Sequence, residues 1–252
     1  QTVTATTTDD DTAGFTLSAT TATVTEAAGG GNTATYTVVL GAQPDSNVVI
    51  SVTSGDTGEA TVSPATLTFT NGNWNSAQTV TVTGVDDNII DGNINTTITM
   101  AVVDDDSDDN FDGVANQTVT ATTTDDDTAG FTLSKTDAIV TNSGGTDTFT
   151  VVLDVQPVGN VVIDVASSNT DEVTVSATSL TFTTGNWDTP QTITVTGVNG
   201  ATVSDSTTTT ITMSVNDGSS EDNYDAVANQ TVSTTFTIIS AVTQVSTPTN
   251  DA

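Results

Sequence analysis

The chain has 252 residues, with Lys+Arg 1 against Asp+Glu 32, no His and no Cys, and a formal net charge of −31. That balance excludes a nucleic-acid binder, which needs cations for phosphate, and it opposes docking on an anionic membrane surface. With no imidazole, thiol or guanidinium there is no Ser-His or Cys-His nucleophile, no thiolate zinc site and no clamp for phosphate, so an enzyme is not expected.

In chain order, QTVTATTT (1–8) reads as a strand of alternating Val, Ala and Thr, followed by Asp9, Asp10 and Asp11. A strand-like segment ending at Glu26 leads to the Gly-rich stretch TEAAGGGN. Then come YTVVL (36–40), NVVISV (47–52), ATLTFT (65–70), QTVTVTGV (78–85), NTTITMAV (95–102) and QTVTATTT (117–124). In QTVTVTGV, Val80 and Val82 face one way and the threonines the other, the period-two pattern of a half-buried antiparallel strand. Thr and Val are β-branched and suit a pleated surface. Clusters of Gly, Asn, Asp and Pro punctuate these runs as in a sandwich, and no amphipathic helix is found. Trp74 and Trp187, at turns entering strands, and Phe15, Phe69, Phe131 and Phe182, within strands, read as core or corner packing.

The sequence then repeats. Gln1–Ser18 recur letter for letter as Gln117–Ser134, 116 residues on. Tyr36, Trp74, Met100 and Phe111 recur as Phe149, Trp187, Met213 and Tyr224, 113 residues on, so about three residues are lost between TEAAGGGN and TNSGG. Self-similarity at this length means a tandem array of sandwich-sized units. The expected divisions are residues 1–11, a strand and Asp triplet of a preceding repeat or a strand donated to a neighbouring subunit; 12–127, the first repeat; 128–240, the second; and 241–252, a polar tail. Strand donation would join chains head to tail and build a filament; the plainer reading makes the chain a window of a longer array. Gln1 is not a residue at which translation starts, so processing or selection of a segment is expected to have made that end.

The acids cluster. Glu26 ends the first strand-like segment, Asp56 follows NVVISV, Asp86 and Asp87 follow QTVTVTGV with Asp91 close behind, and Asp125, Asp126 and Asp127 follow the last strand. Strands alternating up and down bring these to one end of the sandwich. Two carboxylates about 4 Å apart repel by roughly 4 kcal/mol at an effective dielectric near 20. Either such acids splay into solvent or a hard cation gathers them, and oxygen-only ligation selects calcium over zinc. A second group, Asp104 to Asp112, fills the loop before the last strand and reads equally as a solvated acidic loop.

The run from TEAAGGGN through GVDDNIIDG to TTTDDDTAGFTLS resembles the Calx-beta repeat, found in sodium–calcium exchangers and, in tandem, in bacterial surface adhesins. The resemblance covers each whole unit and implies an all-β fold of tandem Ig-like antiparallel β-sandwich domains, about seven strands each. It also implies calcium held by Glu26, Asp86, Asp87 and Asp125–Asp127, with Asp56 and Asp91 matching less closely because the loop after Asp87 is NIIDGN. Asp9, Asp10 and Asp11 repeat the terminal triplet and are candidates for the same role. The second unit departs: Asn142 stands for Glu26, Asn169 for Asp56, GVNGATVSDS for the acidic loop, and no Asp triplet follows its last strand. Weak or absent calcium binding is expected there.

The expected function is an extracellular structural repeat of a cell-surface filament, sheath or adhesin stalk, with calcium-stiffened junctions. Its partner is itself, as further subunits or repeats. The alternative is a calcium-dependent module binding surface glycans. A carboxylate-pair glycosidase would want aromatic sugar platforms, and aromatics are 4% of the chain. A halophilic surface without a specific ion is a further reading. No apolar run approaches the roughly 20 residues of a membrane-spanning helix.

Overall fold

A computed structural model describes residues 1–8, 10–27, 32–200 and 206–239; the expected tail, 241–252, and the candidate ligand Asp9 lie outside the described residues. The chain divides into two units, residues 1–87 with 91–126, and residues 88–90 with 127–252. Each is a β-sandwich.

In the first unit one sheet runs β1–β3–β7–β5, built from Phe15–Leu17, Thr33–Leu40, Gln78–Gly84 and Ala60–Ser63. The other runs β2–β9–β8–β4–β6, built from Thr21–Thr25, Gln117–Thr124, Ile94–Val102, Val48–Ser54 and Thr66–Phe69. The second unit repeats this with Phe131–Leu133 (β10), Thr146–Leu153 (β12), Gln191–Gly197 (β16) and Val173–Val175 (β14) in one sheet. Its other sheet holds Asp137–Thr141 (β11), Gln230–Thr237 (β18), Thr207–Val215 (β17), Val161–Ser167 (β13) and Ser179–Phe182 (β15).

Among the described residues each unit has nine strands, more than the seven expected. Two strands are split where the chain changes sheet: β1 and β2 straddle residues 18–20, and β5 and β6 straddle residues 64–65. Strands of three to five residues are too short to show a period of two. The pairing is antiparallel except that β2 lies parallel to β9, Thr21 opposite Thr120, and β11 lies parallel to β18. A strand that has crossed sheets arrives running with the last strand of the unit.

The long strands alternate as their sequence dictates. Val80 and Val82 of β7 are fully buried in one core with Val38, Ile50, Ile98 and Met100. Each such side chain contributes about 1.5–3 kcal/mol when removed from water. Phe15, Phe69, Phe131 and Phe182 are all buried, and Trp74 and Trp187 pack partly buried against the two cores. Each core also holds one buried tyrosine, in different places: the Tyr36 hydroxyl donates to Met100 Sδ at 3.0 Å, and that of Tyr224 donates to the Val155 carbonyl at 2.8 Å. The only lysine, Lys135, pairs with Asp147, whose other oxygen accepts from the Ile139 N–H and so ties the middle of β11 to β12.

Residues 1–8 form no strand and are exposed, Val3 at 93%. Their exact duplicate, 117–124, is β9, held between β2 and β8. In the second unit β18 fills the same place, so each sandwich already contains its own last strand.

Candidate metal centre

Four chain segments meet at one end of the first sandwich. A glycine makes the approach feasible: a Cβ on Gly84 would lie 2.2 Å from the Thr25 carbonyl oxygen, so only glycine lets the ends of β2 and β7 close up. The Asn32 side chain then donates to both carbonyls, Thr25 at 2.8 Å and Gly84 at 2.9 Å. The next residue after Thr25 is Glu26, whose N–H donates to the Thr124 carbonyl at 3.1 Å and so sets it beside Asp125. Val85 N–H donates to the Glu59 carbonyl at 2.9 Å, which draws the start of β5 alongside the Asp86–Asp87 turn. Asp125 closes the loop by accepting from Gly92 N–H at 2.9 Å.

Carboxylate oxygens of Glu59, Asp87 and Asp91 lie within 4.8 Å of one another. Glu26 is 1% exposed and Glu59 8% exposed, and Oε2 of each is buried without a hydrogen-bond partner. The field is correspondingly hostile to charge. Burial, then Asp125, Asp87, Asp91 and Glu59, pushes the Glu26 carboxyl up to about 7. Glu59 is raised by burial and then by Asp91, Asp87, Asp56 and Asp125. Asp91 is raised by desolvation, Asp87 and Asp125, against a lowering hydrogen bond from its own backbone.

Of the residues singled out from sequence, Glu26, Asp87, Asp91 and Asp125 share this end and feel one another's charge. Asp56 stands at its margin, engaged in a local turn in which its Oδ1 accepts from Gly58 N–H at 2.9 Å. Asp86 and Asp126 are exposed, and Asp127 is a partly buried residue of the second unit. Asp10 and Asp11 are exposed, and Asp11 lines an open cleft with residues of the β3–β4 and β8–β9 connections, at the opposite end of the strands. Glu59 escaped the sequence reading. It was visible as one of only four glutamates and as the counterpart of Glu172 at the same repeat position.

The Asp104–Asp112 loop is built otherwise. Its buried acid, Asp108, accepts from the N–H groups of Asp45 (2.6 Å), Ser46 and Asn110 (3.0 Å each), which hold its carboxyl below the usual range. Among the described residues no triplet of close carboxylate oxygens falls in this loop.

In the second unit, Gly197 again approaches the Thr141 carbonyl, and Val198 N–H donates to the Glu172 carbonyl at 2.7 Å. Here the corresponding glutamate and asparagine are hydrogen-bonded. Glu172 Oε2 accepts from the hydroxyls of Thr207 (2.7 Å) and Thr209 (3.1 Å). Asn142 Oδ1 accepts from Ile239 N–H at 2.9 Å.

The donor set at the first site, oxygen throughout, two of its atoms buried and unpaired, suits a hard cation with many oxygen ligands. Among the described residues no helix is long and apolar enough to cross a membrane.

No family model and no curated protein matches the chain. Among solved structures it is similar to CBD12 from CALX1.2, at 16% identity over 80% of this chain and 79% of that one, TM-score 0.34. It is similar to domains 4 and 5 of the S-layer protein SbsC, at 16% identity over 76% and 70%, TM-score 0.33. It is also similar to the titin domains z1z2 in complex with telethonin, at 13% identity over 92% and 98%, TM-score 0.38. The strand order and pairing make the fold a tandem of Ig-like β-sandwich domains.

Proposed function

We propose that the chain is a structural repeat segment of an extracellular filament, sheath or adhesin stalk, and that calcium stiffens the end of its first sandwich. Glu26, Glu59, Asp87 and Asp91 would hold the ion, with Asp125 alongside. One observation carries this reading: two buried glutamate oxygens, on Glu26 and Glu59, have no hydrogen-bond partner inside a ring of further acids. Unpaired buried charge costs several kcal/mol per ion, a large part of a domain's margin of stability. The oxygens of Glu59, Asp87 and Asp91, within 4.8 Å of one another, also fit around one calcium with ligands at about 2.3–2.6 Å. Bound there, calcium would supply the positive charge that the four acids lack. The protein's own contribution is positioning, through Gly84, Asn32 and the Val85–Glu59 hydrogen bond. The duplicated sequence and the poor catalytic inventory support a passive array element.

The test is calorimetry of the whole chain in calcium and in excess chelator. Trp74 and Trp187 are the only tryptophans, one per repeat; replacing either by Phe lets fluorescence assign each transition. At a hundredfold excess of calcium over its dissociation constant, stabilisation of about 2.7 kcal/mol is expected in the first repeat, a rise on the order of 10 °C. The second repeat should not move. Identical melting of the first repeat in calcium and in chelator would sink the proposal.

A further inference from the structure

Three places in the chain read Asn-x-Thr without proline between: Asn95-Thr96-Thr97, Asn116-Gln117-Thr118 and Asn229-Gln230-Thr231. The last two occupy one repeat position, 113 residues apart, inside the run VANQTV that both repeats spell identically. The exposed surface around that run has drifted: Gly218 and Ser219 stand for Asp105 and Asp106, and Ser233 for Thr120.

The fold accounts for part of the shared run. Val119 and Val232 are fully buried, and Val114 and Val227 pack partly buried against their cores. The Gln117 side chain donates to the Phe15 carbonyl of β1, and that of Gln230 to the Phe131 carbonyl of β10. The asparagine and the threonine have no such role. Asn116, Thr118, Asn229 and Thr231 are all exposed, and among the described residues their side chains make no hydrogen bond. The alternation of exposure in β9 carries back to Asn116, so Asn116 and Thr118 share the outward side while Gln117 turns to the sandwich. The segment is held on both flanks. Val114 N–H donates to the Phe111 carbonyl at 3.0 Å, and Gln117 pairs with Met100 of β8. Val227 N–H donates to the Tyr224 carbonyl at 3.0 Å, and Gln230 pairs with Met213 of β17.

Asn95 is placed otherwise. It lies within β8, opposite Thr122, and its Oδ1 accepts from the Thr122 hydroxyl at 2.7 Å. The second repeat has Thr208 at that position.

We propose that Asn116 and Asn229 are acceptors for an N-linked sugar. The side-chain amide nitrogen bonds to the anomeric carbon of a sugar carried on a polyprenyl diphosphate. The bond from that carbon to the carrier's phosphate oxygen breaks, the carrier leaves with the electron pair, and the amide gives one proton to a base of the transferase. The threonine two residues on supplies the hydroxyl by which such an enzyme reads the acceptor. The proposal rests on the extracellular reading, because this transfer takes place on the export side of a membrane. It does not rest on calcium: Asn116 precedes β9, whose eight residues at about 3.3 Å each set it roughly 25 Å from the end that holds Glu26.

The test uses the full chain isolated from its source cells and cut with a protease specific for aspartate. Asp112 and Asp125 bracket Asn116, Asp225 precedes Asn229, and Asp91 and Asp104 bracket Asn95. Mass spectra should show sugar on the first two peptides and none on the third. In the same cells Asn116→Gln and Thr118→Ala should each remove one sugar increment from the intact mass, and Asn229→Gln and Thr231→Ala the other. Thr118→Ser should keep its increment, and all variants should keep both melting transitions. Bare Asn116 and Asn229 in a chain recovered from the cell surface overturn the proposal and leave the surface reading standing. A chain recovered only from inside the cell overturns both. Sugar that survives Thr118→Ala also overturns the proposal, because the acceptor is then not read through its hydroxyl.

Discussion

The two repeats face one problem at the same corner of one fold and solve it differently. Both bring a buried glutamate, Glu59 or Glu172, to the start of a short strand through the same main-chain hydrogen bond. In the second repeat two threonine hydroxyls saturate an oxygen of Glu172, and an asparagine replaces the companion acid. In the first, Ile94 stands where Thr207 would be, the hydroxyl of Thr96 has no partner, and Glu26 adds a second buried carboxyl. The backbone tolerates either outcome. A few side chains therefore decide whether this corner is closed by hydrogen bonds or left with buried carboxylate oxygens that have no partner.

The comparison breaks most sharply with Glu26→Gln combined with Glu59→Gln. The neutral amides remove the repulsion, so in chelator the first repeat should melt higher than the parent at pH 8. In calcium it should lose a stabilisation of about 2.7 kcal/mol at hundredfold excess, and the two transitions should respond alike. A double variant that keeps its calcium shift would place the ion elsewhere.

Acidity gives a second, intermediate effect. With Glu26 raised from 4.5 to about 7, the folded first repeat keeps a proton that the unfolded chain has lost between those values. In chelator its stability should therefore be highest below about pH 4.5, fall as pH rises through that window, and level off above about 7. Glu59 and Asp91 are raised too and act in the same direction. Melting of the first repeat that is flat from pH 5 to 8 would contradict this burial of charge.

The smallest effect is the most local. Thr209→Val removes a hydroxyl that donates to a carboxylate and should lower the second transition by about 1.5 kcal/mol, equally in calcium and in chelator. The matching Thr96→Val removes a buried hydroxyl with no partner and should leave the first repeat as stable or more so. Equal losses in both would mean that the two corners are not built differently.

Much of this was legible from the strands long enough to alternate. QTVTVTGV announces β7 and its buried valines, and the letter-for-letter duplication announces the array. The acids at strand ends follow from counting up and down. What escaped was short. β5, four residues, has no readable period, so Glu59 was not recognised as inward-facing. The difference between Asp86, exposed, and Asp87, partly buried, depends on a turn whose geometry is set by the distant contact of Gly84 with Thr25. Asp108 was invisible for another reason: its partners are main-chain N–H groups of the β3–β4 connection, which no residue type advertises.

The pairing of the single lysine has a consequence for durability. Enzymes of the trypsin type cut after Lys or Arg, and this chain offers one such bond, Lys135–Thr136. The lysine is about one-third exposed, and its ammonium is engaged by Asp147, at the foot of a strand tied down by the same carboxylate. Amine-reactive crosslinkers meet the same scarcity. An array assembled from such units would present a surface on which the commonest handles for digestion and for covalent attachment have nearly vanished.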